Sequence, residues 1–238
     1  MQPSGHKVLI TGGTRGIGAA LAEKFLANGN SVILVGRGEP DTPLQGAIYL
    51  TSNLDQEADR AQLIETLHRD HKDLSVLINN AGIQHEGRFG EDWHYADYAR
   101  EVEVNIGAVL HLCDGLIPLL RNKSEAAIVN VSSALSIQPK PSSPIYCATK
   151  SFVRSFSTSL RLQLATSSIK TFELVPPLVD TGMTKDTKGS KITPSDLANA
   201  FWTGWCRNQP VILAGQAKAL HIINRLSPAL AARLVRGD

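Results

Sequence analysis

The chain has 238 residues, 42% of them hydrophobic, a net charge of +2 and a pI near 8.4. That length predicts one domain with a sizeable core, and the mild charge, without a Lys/Arg-rich block, argues against nucleic acid as a partner. Three widely spaced cysteines predict free thiols, and the spacing of the histidines predicts no metal site. Because residues 1–6 lack an apolar signal core and no run approaches the ~20 apolar residues of a membrane span, we expect a cytoplasmic protein.

Short β-rich runs alternate with helical patterns along the chain. The runs span residues 7–11, 31–35, 47–50, 75–79, 126–131, 170–175 and 210–213. Most are apolar throughout, as strands buried on both faces of a sheet must be. Helical patterns occupy 16–28, 55–70, 97–121, 147–166 and 194–206, whereas 36–46, with two prolines and three glycines, is predicted to be a loop. The alternation predicts an α/β, doubly wound Rossmann fold over residues 1–238, with a parallel sheet of about seven strands and helices on both faces.

The first run leads through TGGTRGIG, residues 11–18, into the first helical pattern. Glycines in such a turn let the backbone approach a pyrophosphate at the helix N-terminus. Glycines also serve ordinary turns, but a strand before them and a helix after them favour a nucleotide site. At the end of the second run, Gly36 and Arg37 stand where NAD-specific folds place an acid, and Arg15 supplies another cation. These residues predict NADP(H) rather than NAD(H), the alternative being that both arginines are simply solvated.

Tyr146 and Lys150 are four positions apart and share one face of a predicted helix. Alone, such a pair is usually an ordinary surface feature. Hydride transfer to a carbonyl leaves an alkoxide that needs a proton donor. Lys150, together with the nearby helix N-terminus, is expected to lower the pKa of tyrosine from ~10 toward working pH. The pair therefore predicts an acid and its partner.

Six motifs in order resemble the short-chain dehydrogenase/reductase family, in its compact single-domain branch, from residue 7 to about 215. They are TGGTRGIG (11–18), NNAG (79–82), VEVN (102–105), IVNVSS (128–133), YCATK (146–150) and PPLVDT (176–181). The last motif, continued through residue 185, is most similar to poorly characterised bacterial oxidoreductases of this family. The resemblance implies an NADP-dependent enzyme that transfers hydride between the nicotinamide and a carbonyl or alcohol, and that forms a homodimer or homotetramer.

The resemblance also implies the site residues. The catalytic set is Asn105, Ser133, Tyr146 and Lys150, with Asn105 holding a water near Lys150 and Ser133 bonding the substrate oxygen. Ser133 is preferred to Ser132 because the family's serine precedes its tyrosine by about thirteen positions. An ordinary buried amide is the alternative for Asn105. The implied cofactor contacts are Gly12, Thr14, Arg15, Gly16, Ile17, Gly18, Arg37, Asn53, Leu54, Asn80, Ala81, Gly82, Tyr146, Lys150, Val179 and Thr181.

Three further expectations concern the substrate region. Pro177 stands where the family has glycine, and Asn79 is expected to brace the turn beside Asn80. Mostly apolar residues are expected around the carbonyl, which predicts an apolar aldehyde or ketone rather than a small keto acid. They are Leu135, Ile137, Ile145, Pro177, Leu178 and Met183, with Gln84 and His85 as polar neighbours. Residues 182–195, rich in glycine and lysine, are predicted to form a mobile lid.

The tail, residues 216–238, has an amphipathic helical pattern. It could pack on the core, join subunits or lie on a membrane surface, in that order of preference. Two other functions stay open: a catalytically silent NADP-sensing or interaction protein, and a nucleotide-sugar epimerase or dehydratase. The complete set of four catalytic residues argues against the first, and the short chain argues against the second.

Overall fold

A computed structural model describes residues 1–38, 40, 42–92 and 94–236. Seven strands form one sheet: β1 Lys7–Thr11, β2 Ser31–Gly36, β3 Ala47–Thr51, β4 Leu74–Asn79, β5 Ala126–Val131, β6 Ile169–Val175 and β7 Val211–Leu213. Their order is β3-β2-β1-β4-β5-β6-β7, and every neighbouring pair is parallel. The predicted fold class is confirmed. The strands are added outward in one direction from β1 to β3 and in the other direction from β4 to β7, so the order reverses between β1 and β4. Sheets of this kind bind ligands at the carboxyl ends of the strands on either side of that point.

In the part of the chain that the structure describes, eight α-helices flank the sheet. They are α1 Gly16–Leu26, α2 Glu57–Asp70, α3 Tyr95–Val102, α4 Ala108–Arg121, α5 Pro144–Gln163, α6 Pro194–Cys206, α7 Gln216–Leu226 and α8 Pro228–Arg236. The helix predicted over 97–121 is interrupted by a π-helical turn, Glu103–Gly107. Between β2 and β3 the described residues form no helix, as predicted.

Hydrophobic residues pack on both faces of the sheet. Neighbouring residues of β1 point to opposite faces of the sheet. Ile10 packs in the hydrophobic cluster under α1 and α6, whereas Leu9 packs in the cluster under α2, α4 and α5. Phe25 and Trp205 join α1 to α6 edge-to-face, with ring centroids 5.4 Å apart. The inner strands β1, β2, β4 and β5 are thus mostly apolar because they are covered on both sides, whereas the edge strand β3 is partly exposed.

The helical run Tyr95–Arg121 has the length and the mean hydropathy of a membrane-crossing helix, although charged residues interrupt its apolar sequence. Its apolar residues Leu112, Leu116 and Leu120 are buried in the core cluster under the sheet. Packing in a core therefore accounts for the composition of this run, because core helices and membrane helices are apolar for the same physical reason.

The tail forms two helices, α7 and α8, which are separated at Ser227. Ala217 and Ala231 are buried, but Leu226 is 81% exposed and Leu230 is 47% exposed. Core packing, the first of the three expectations for the tail, therefore covers only part of the predicted apolar stripe. Residues 237 and 238 of the predicted tail lie outside the described residues.

Candidate active site

Tyr146 and Lys150 are buried on the first two turns of α5, at the carboxyl edge of the sheet. Helix α5 begins with proline at Pro144, whose fixed backbone suits the first helical position. The Lys150 Nζ lies 5.6 Å from the centroid of the Tyr146 ring and donates a hydrogen bond to the Val131 carbonyl oxygen at 3.0 Å. The helix spacing thus brings the two side chains together, as predicted.

Ser133 follows β5 and starts a 3-10 turn, Ala134–Ser136, that packs against α5. Its hydroxyl accepts a hydrogen bond from the Leu135 backbone N–H at 3.1 Å and interacts with the Tyr146 phenol through a side-chain hydrogen bond. Ser132 instead donates to Glu173 Oε1 at 2.6 Å and is buried. Ser132 and Ser133 thus point to opposite sides of the extended chain, as neighbouring residues do, and Ser133 is the one that points toward Tyr146.

The ionisation of the pair differs from the expectation. Burial raises the pKa of the Tyr146 phenol above its usual value, with the Ser133 hydrogen bond opposing that rise. The expectation of a lowered pKa for Tyr146 was wrong for this structure, because burial disfavours the charged phenolate. Burial also lowers the pKa of Lys150 to about 8, and the Glu101 carboxylate opposes this. Tyr146 is therefore protonated at neutral pH.

Asn105 lies in the π-helical turn and is clamped by the loop after β4. Its Oδ1 accepts from the Ile83 backbone N–H at 2.9 Å, while its Nδ2 donates to the Ile83 carbonyl at 2.9 Å and to Thr149 Oγ1 at 3.1 Å. A Cβ atom on Gly82 would lie 3.3 Å from Asn105 Oδ1 and 3.4 Å from Lys150 Nζ. Asn105 and Lys150 are thus both brought next to Gly82, and π-helical turns often occur at functional sites.

The two asparagines after β4 have different surroundings. Asn79 is buried between strands and donates to Asn130 Oδ1 at 2.8 Å. Asn80 braces the glycine turn, because its Nδ2 donates to the carbonyls of Thr11 and Gly12 at 2.9 and 3.1 Å. The expectation that Asn79 braces the turn was wrong. Its amide is drawn into the sheet interior, where it finds a polar partner.

The glycine turn has the close backbone packing that a dinucleotide cradle needs. Gly12 and Gly16 have φ of +63° and +56°, and a Cβ atom on Gly18 would lie 2.2 Å from the Gly12 carbonyl oxygen. Arg15 precedes α1 without a side-chain hydrogen bond to its first N–H groups. These groups remain open to an anion such as a pyrophosphate, and so the turn fits the phosphates of a nicotinamide dinucleotide.

The end of β2 meets the glycine turn. A Cβ atom on Gly36 would lie 2.9 Å from Thr14 Cγ2, so the segments carrying Arg15 and Arg37 approach each other here. Both arginines are exposed, and neither forms an ion pair with a described residue. Two unpaired guanidinium groups at this position fit a cofactor with an additional phosphate.

The other predicted cofactor residues border this same edge. Leu54, which follows β3, is 7% exposed, and the Asn53 backbone N–H is held by Asp59 Oδ2 at 3.2 Å. After β6, Val179 is buried and forms an isolated bridge with Ile192. A Cβ atom on Gly16 would lie 3.2 Å from the Thr181 side chain. The remaining members of the predicted set are Ile17, on the first turn of α1, and Ala81, which donates its backbone N–H to Thr11 Oγ1.

The predicted lid, 182–195, is tied down at both ends. It begins with a 3-10 turn, Gly182–Thr184, and ends in α6, which starts at Pro194. Ile192 exchanges backbone hydrogen bonds with Leu178 and Asp180. The mobility of the lid stays a prediction.

A cavity of about 360 Å³ lies between the end of β6 and the tail helices, with Ala134 in its lining. Of the six apolar residues predicted around the carbonyl, Pro177 and Leu178 line it, whereas Met183 is 49% exposed. The remaining lining comes from Ala134, which follows Ser133, and from tail residues including Leu220, Ile223 and Leu234. Sequence reasoning missed this contribution because nothing in the amphipathic pattern shows which surface the tail covers.

Glu101 is a second residue that sequence reasoning missed. It is fully buried at the end of α3 and accepts two hydrogen bonds from His85. The motif EVEVN offered a signal, because residues four positions apart share a helix face and Glu101 precedes Asn105 by four.

Comparison with known proteins agrees with this architecture. The family model for short chain dehydrogenases matches residues 6–191, and the chain therefore belongs to the short-chain dehydrogenase family of oxidoreductases. An uncharacterized oxidoreductase of Bacillus subtilis, DltE, is 41% identical over 197 residues, which cover 79% of this chain and 77% of that protein.

Solved structures of the family have the same fold over nearly the whole chain. A short chain dehydrogenase from Burkholderia cenocepacia in complex with NADP superposes with a TM-score of 0.89 at 25% identity, covering 99% of both chains. One from Sphingobium yanoikuyae in complex with NADPH gives 0.80 at 28% identity, covering 96% of this chain and 94% of the other. Other solved relatives hold NAD or NADH. The family uses nicotinamide cofactors of both kinds.

Proposed function

We propose that this chain is an NADP-dependent oxidoreductase that interconverts an apolar aldehyde or ketone and its alcohol. The observation that carries the proposal is that the buried Tyr146 and Lys150 lie together with the half-buried Ser133 beside the glycine turn. The turn would hold the phosphates, Arg15 and Arg37 would bind an additional phosphate on the ribose, and Val179 and Thr181 would border the nicotinamide. When bound, NADPH supplies the hydride that reduces the carbonyl carbon.

The protein's own residues manage the proton and the developing charge. Tyr146 donates its phenolic proton to the substrate oxygen as that oxygen gains negative charge. Ser133 offers a second hydrogen bond to the same oxygen, which stabilises the charge in a site with little water. The Lys150 ammonium then stabilises the Tyr146 phenolate that the transfer leaves behind, and Asn105 supports the loop next to Lys150.

The relative affinities for NADPH and NADH test whether Arg15 and Arg37 bind the additional phosphate. We expect NADPH to bind more tightly than NADH, and Arg37→Ala to weaken NADPH alone by roughly tenfold to a hundredfold, because a charge-assisted phosphate bond contributes about 1.5–3 kcal/mol. Both cofactors are titrated by fluorescence against the wild type and this variant. Arg69→Ala is the matched control, since Arg69 is an exposed arginine at the end of α2 whose partner is Asp70. Equal affinity of the wild type for NADH and NADPH contradicts the assignment.

The cavity between the end of β6 and the tail helices supports an apolar substrate. Its lining is apolar except for Gln216, and its volume of about 360 Å³ is within the range of small-molecule sites. It offers no fixed cation for a carboxylate or phosphate group. A carbonyl held at Ser133 can therefore extend an aliphatic or aryl group beneath α7.

The dependence of kcat/KM on the chain length of the substrate tests whether the cavity binds its apolar part. We expect kcat/KM to rise about fourfold with each added methylene until the cavity is full, because each buried methylene contributes about 0.8 kcal/mol. Leu220→Trp, which narrows the cavity, should move the optimum to shorter chains. Ile222→Trp is the control, since Ile222 lies on the same helix but is 58% exposed. Efficient turnover of short keto acids with no dependence on chain length rules out this substrate class.

A further inference from the structure

Glu101 is a buried carboxylate that the reaction proposed above does not use. It has no exposed surface. Its Oε2 accepts hydrogen bonds from the backbone N–H and the Nδ1 of His85, both at 3.1 Å. Its Oε1 is buried and has no hydrogen-bond partner among the described residues. A carboxylate in such a place is costly unless a cation lies near it.

The loop after β4 connects this carboxylate to Lys150. Gly82 lies against the Lys150 ammonium, and three residues later His85 holds Glu101. Helix α3, which carries Glu101, packs on α5, which carries Lys150. Glu101 also precedes Asn105 by four positions in the same helical run, and Asn105 Oδ1 and the Lys150 ammonium both lie next to Gly82.

Among the described residues, Lys150 has only a neutral hydrogen-bond partner. Its Nζ donates to the Val131 carbonyl, and it forms no ion pair with a described residue. The titratable groups that face Glu101 are His85 from the loop after β4 and Tyr146, Cys147 and Lys150 from α5. Tyr146 and Cys147 are neutral near neutral pH, since burial raises the pKa of both. The Lys150 ammonium is therefore the buried cation that the carboxylate can stabilise.

We propose that Glu101 is the counter-charge that keeps Lys150 cationic in the active site, and that His85 fixes the carboxylate in place. Glu101 is thus a positioning residue that acts through Lys150. Its link to turnover rests on the proposed function, whereas its effect on the ammonium does not.

The sign of the effect follows from the charges. Burial lowers the pKa of Lys150 to about 8, and the negative charge of Glu101 opposes that fall. Removing the charge lowers the pKa further, so that Lys150 loses its proton at lower pH. The consequence is confined to the alkaline side of the pH profile.

Glu101→Gln tests the proposal, because glutamine keeps an oxygen for the His85 hydrogen bonds and removes the charge. The pKa of Lys150 is measured by NMR on protein with 13C-labelled lysines, the signal being assigned by its absence in Lys150→Arg. We expect this pKa to fall by about 0.5–1 unit. The alkaline limb of kcat/KM should move by the same amount, and Glu101→Asp should restore part of the shift.

Glu103→Gln is the matched control. Glu103 is two positions along the same run, but it pairs with Arg60 and its side chain is 42% exposed. We expect the pKa of Lys150 in this variant to match that of the wild type. If Glu101→Gln does not fold, as judged by circular dichroism, His85→Ala replaces it, and releasing the carboxylate should again lower the pKa of Lys150.

The outcomes separate the two proposals. An unchanged pKa of Lys150 in the folded variant overturns the role of Glu101, even if the wild type reduces carbonyls. A lowered pKa in a protein that reduces no carbonyl with NADPH supports the role of Glu101 and removes the proposed function.

Discussion

Tyr146→Phe is expected to reduce kcat by roughly 10²–10⁴-fold, the usual contribution of a positioned general acid. The substitution removes only the phenolic oxygen from a buried ring, so the packing around α5 is retained. NADPH affinity should change little, because the glycine turn and both arginines are untouched. Stopped-flow measurement of NADPH oxidation with the best carbonyl, together with fluorescence titration of NADPH, separates the two effects.

Tyr95→Phe is the control for this substitution, since Tyr95 is 76% exposed at the start of α3. We expect wild-type kinetics from it. A Tyr146→Phe enzyme with near-normal kcat would remove Tyr146 from the mechanism. Unchanged NADPH binding by both proteins without any turnover in the wild type would instead favour a silent NADP-binding protein.

Gly18→Ala is expected to destabilise the protein and to weaken cofactor binding together. The added Cβ would lie 2.2 Å from the Gly12 carbonyl oxygen and 2.8 Å from Gly13 Cα. Both contacts are with backbone, which cannot turn aside as a flexible side chain can. We expect a loss on the order of 3 kcal/mol in the free energy of unfolding, which lowers Tm by roughly 6–12 °C in a chain of this size.

Thermal unfolding followed by circular dichroism measures this loss, with and without NADPH. Gly182→Ala is the matched control, because a Cβ atom there would meet no atom within 4 Å and the backbone φ lies outside the positive range. Its Tm should equal that of the wild type. A Gly18→Ala protein with wild-type Tm and wild-type NADPH affinity contradicts the close packing of the turn.

Features formed within one segment could be predicted from the sequence. The pair Tyr146 and Lys150 is an example, since helical periodicity alone brings two residues four positions apart to one face. The seven short runs likewise predicted a parallel sheet covered by helices on both faces. A strand that is buried on both faces is apolar at successive positions, and this pattern can be read within each run by itself. The family resemblance added the order of the motifs and the choice of Ser133 over Ser132.

Features that join distant segments were decided by the tertiary structure. The packing of α3, which carries Glu101, on α5, which carries Lys150, depends on which elements meet in the fold. The covering of the cavity by Leu220 and the bracing of the glycine turn by Asn80 depend on it in the same way. The raised pKa of Tyr146 belongs to the same class, because the whole fold removes the phenol from water. Local spacing determines neighbours along one helix or strand. Solvent exclusion and contacts between elements exist only once the chain has folded.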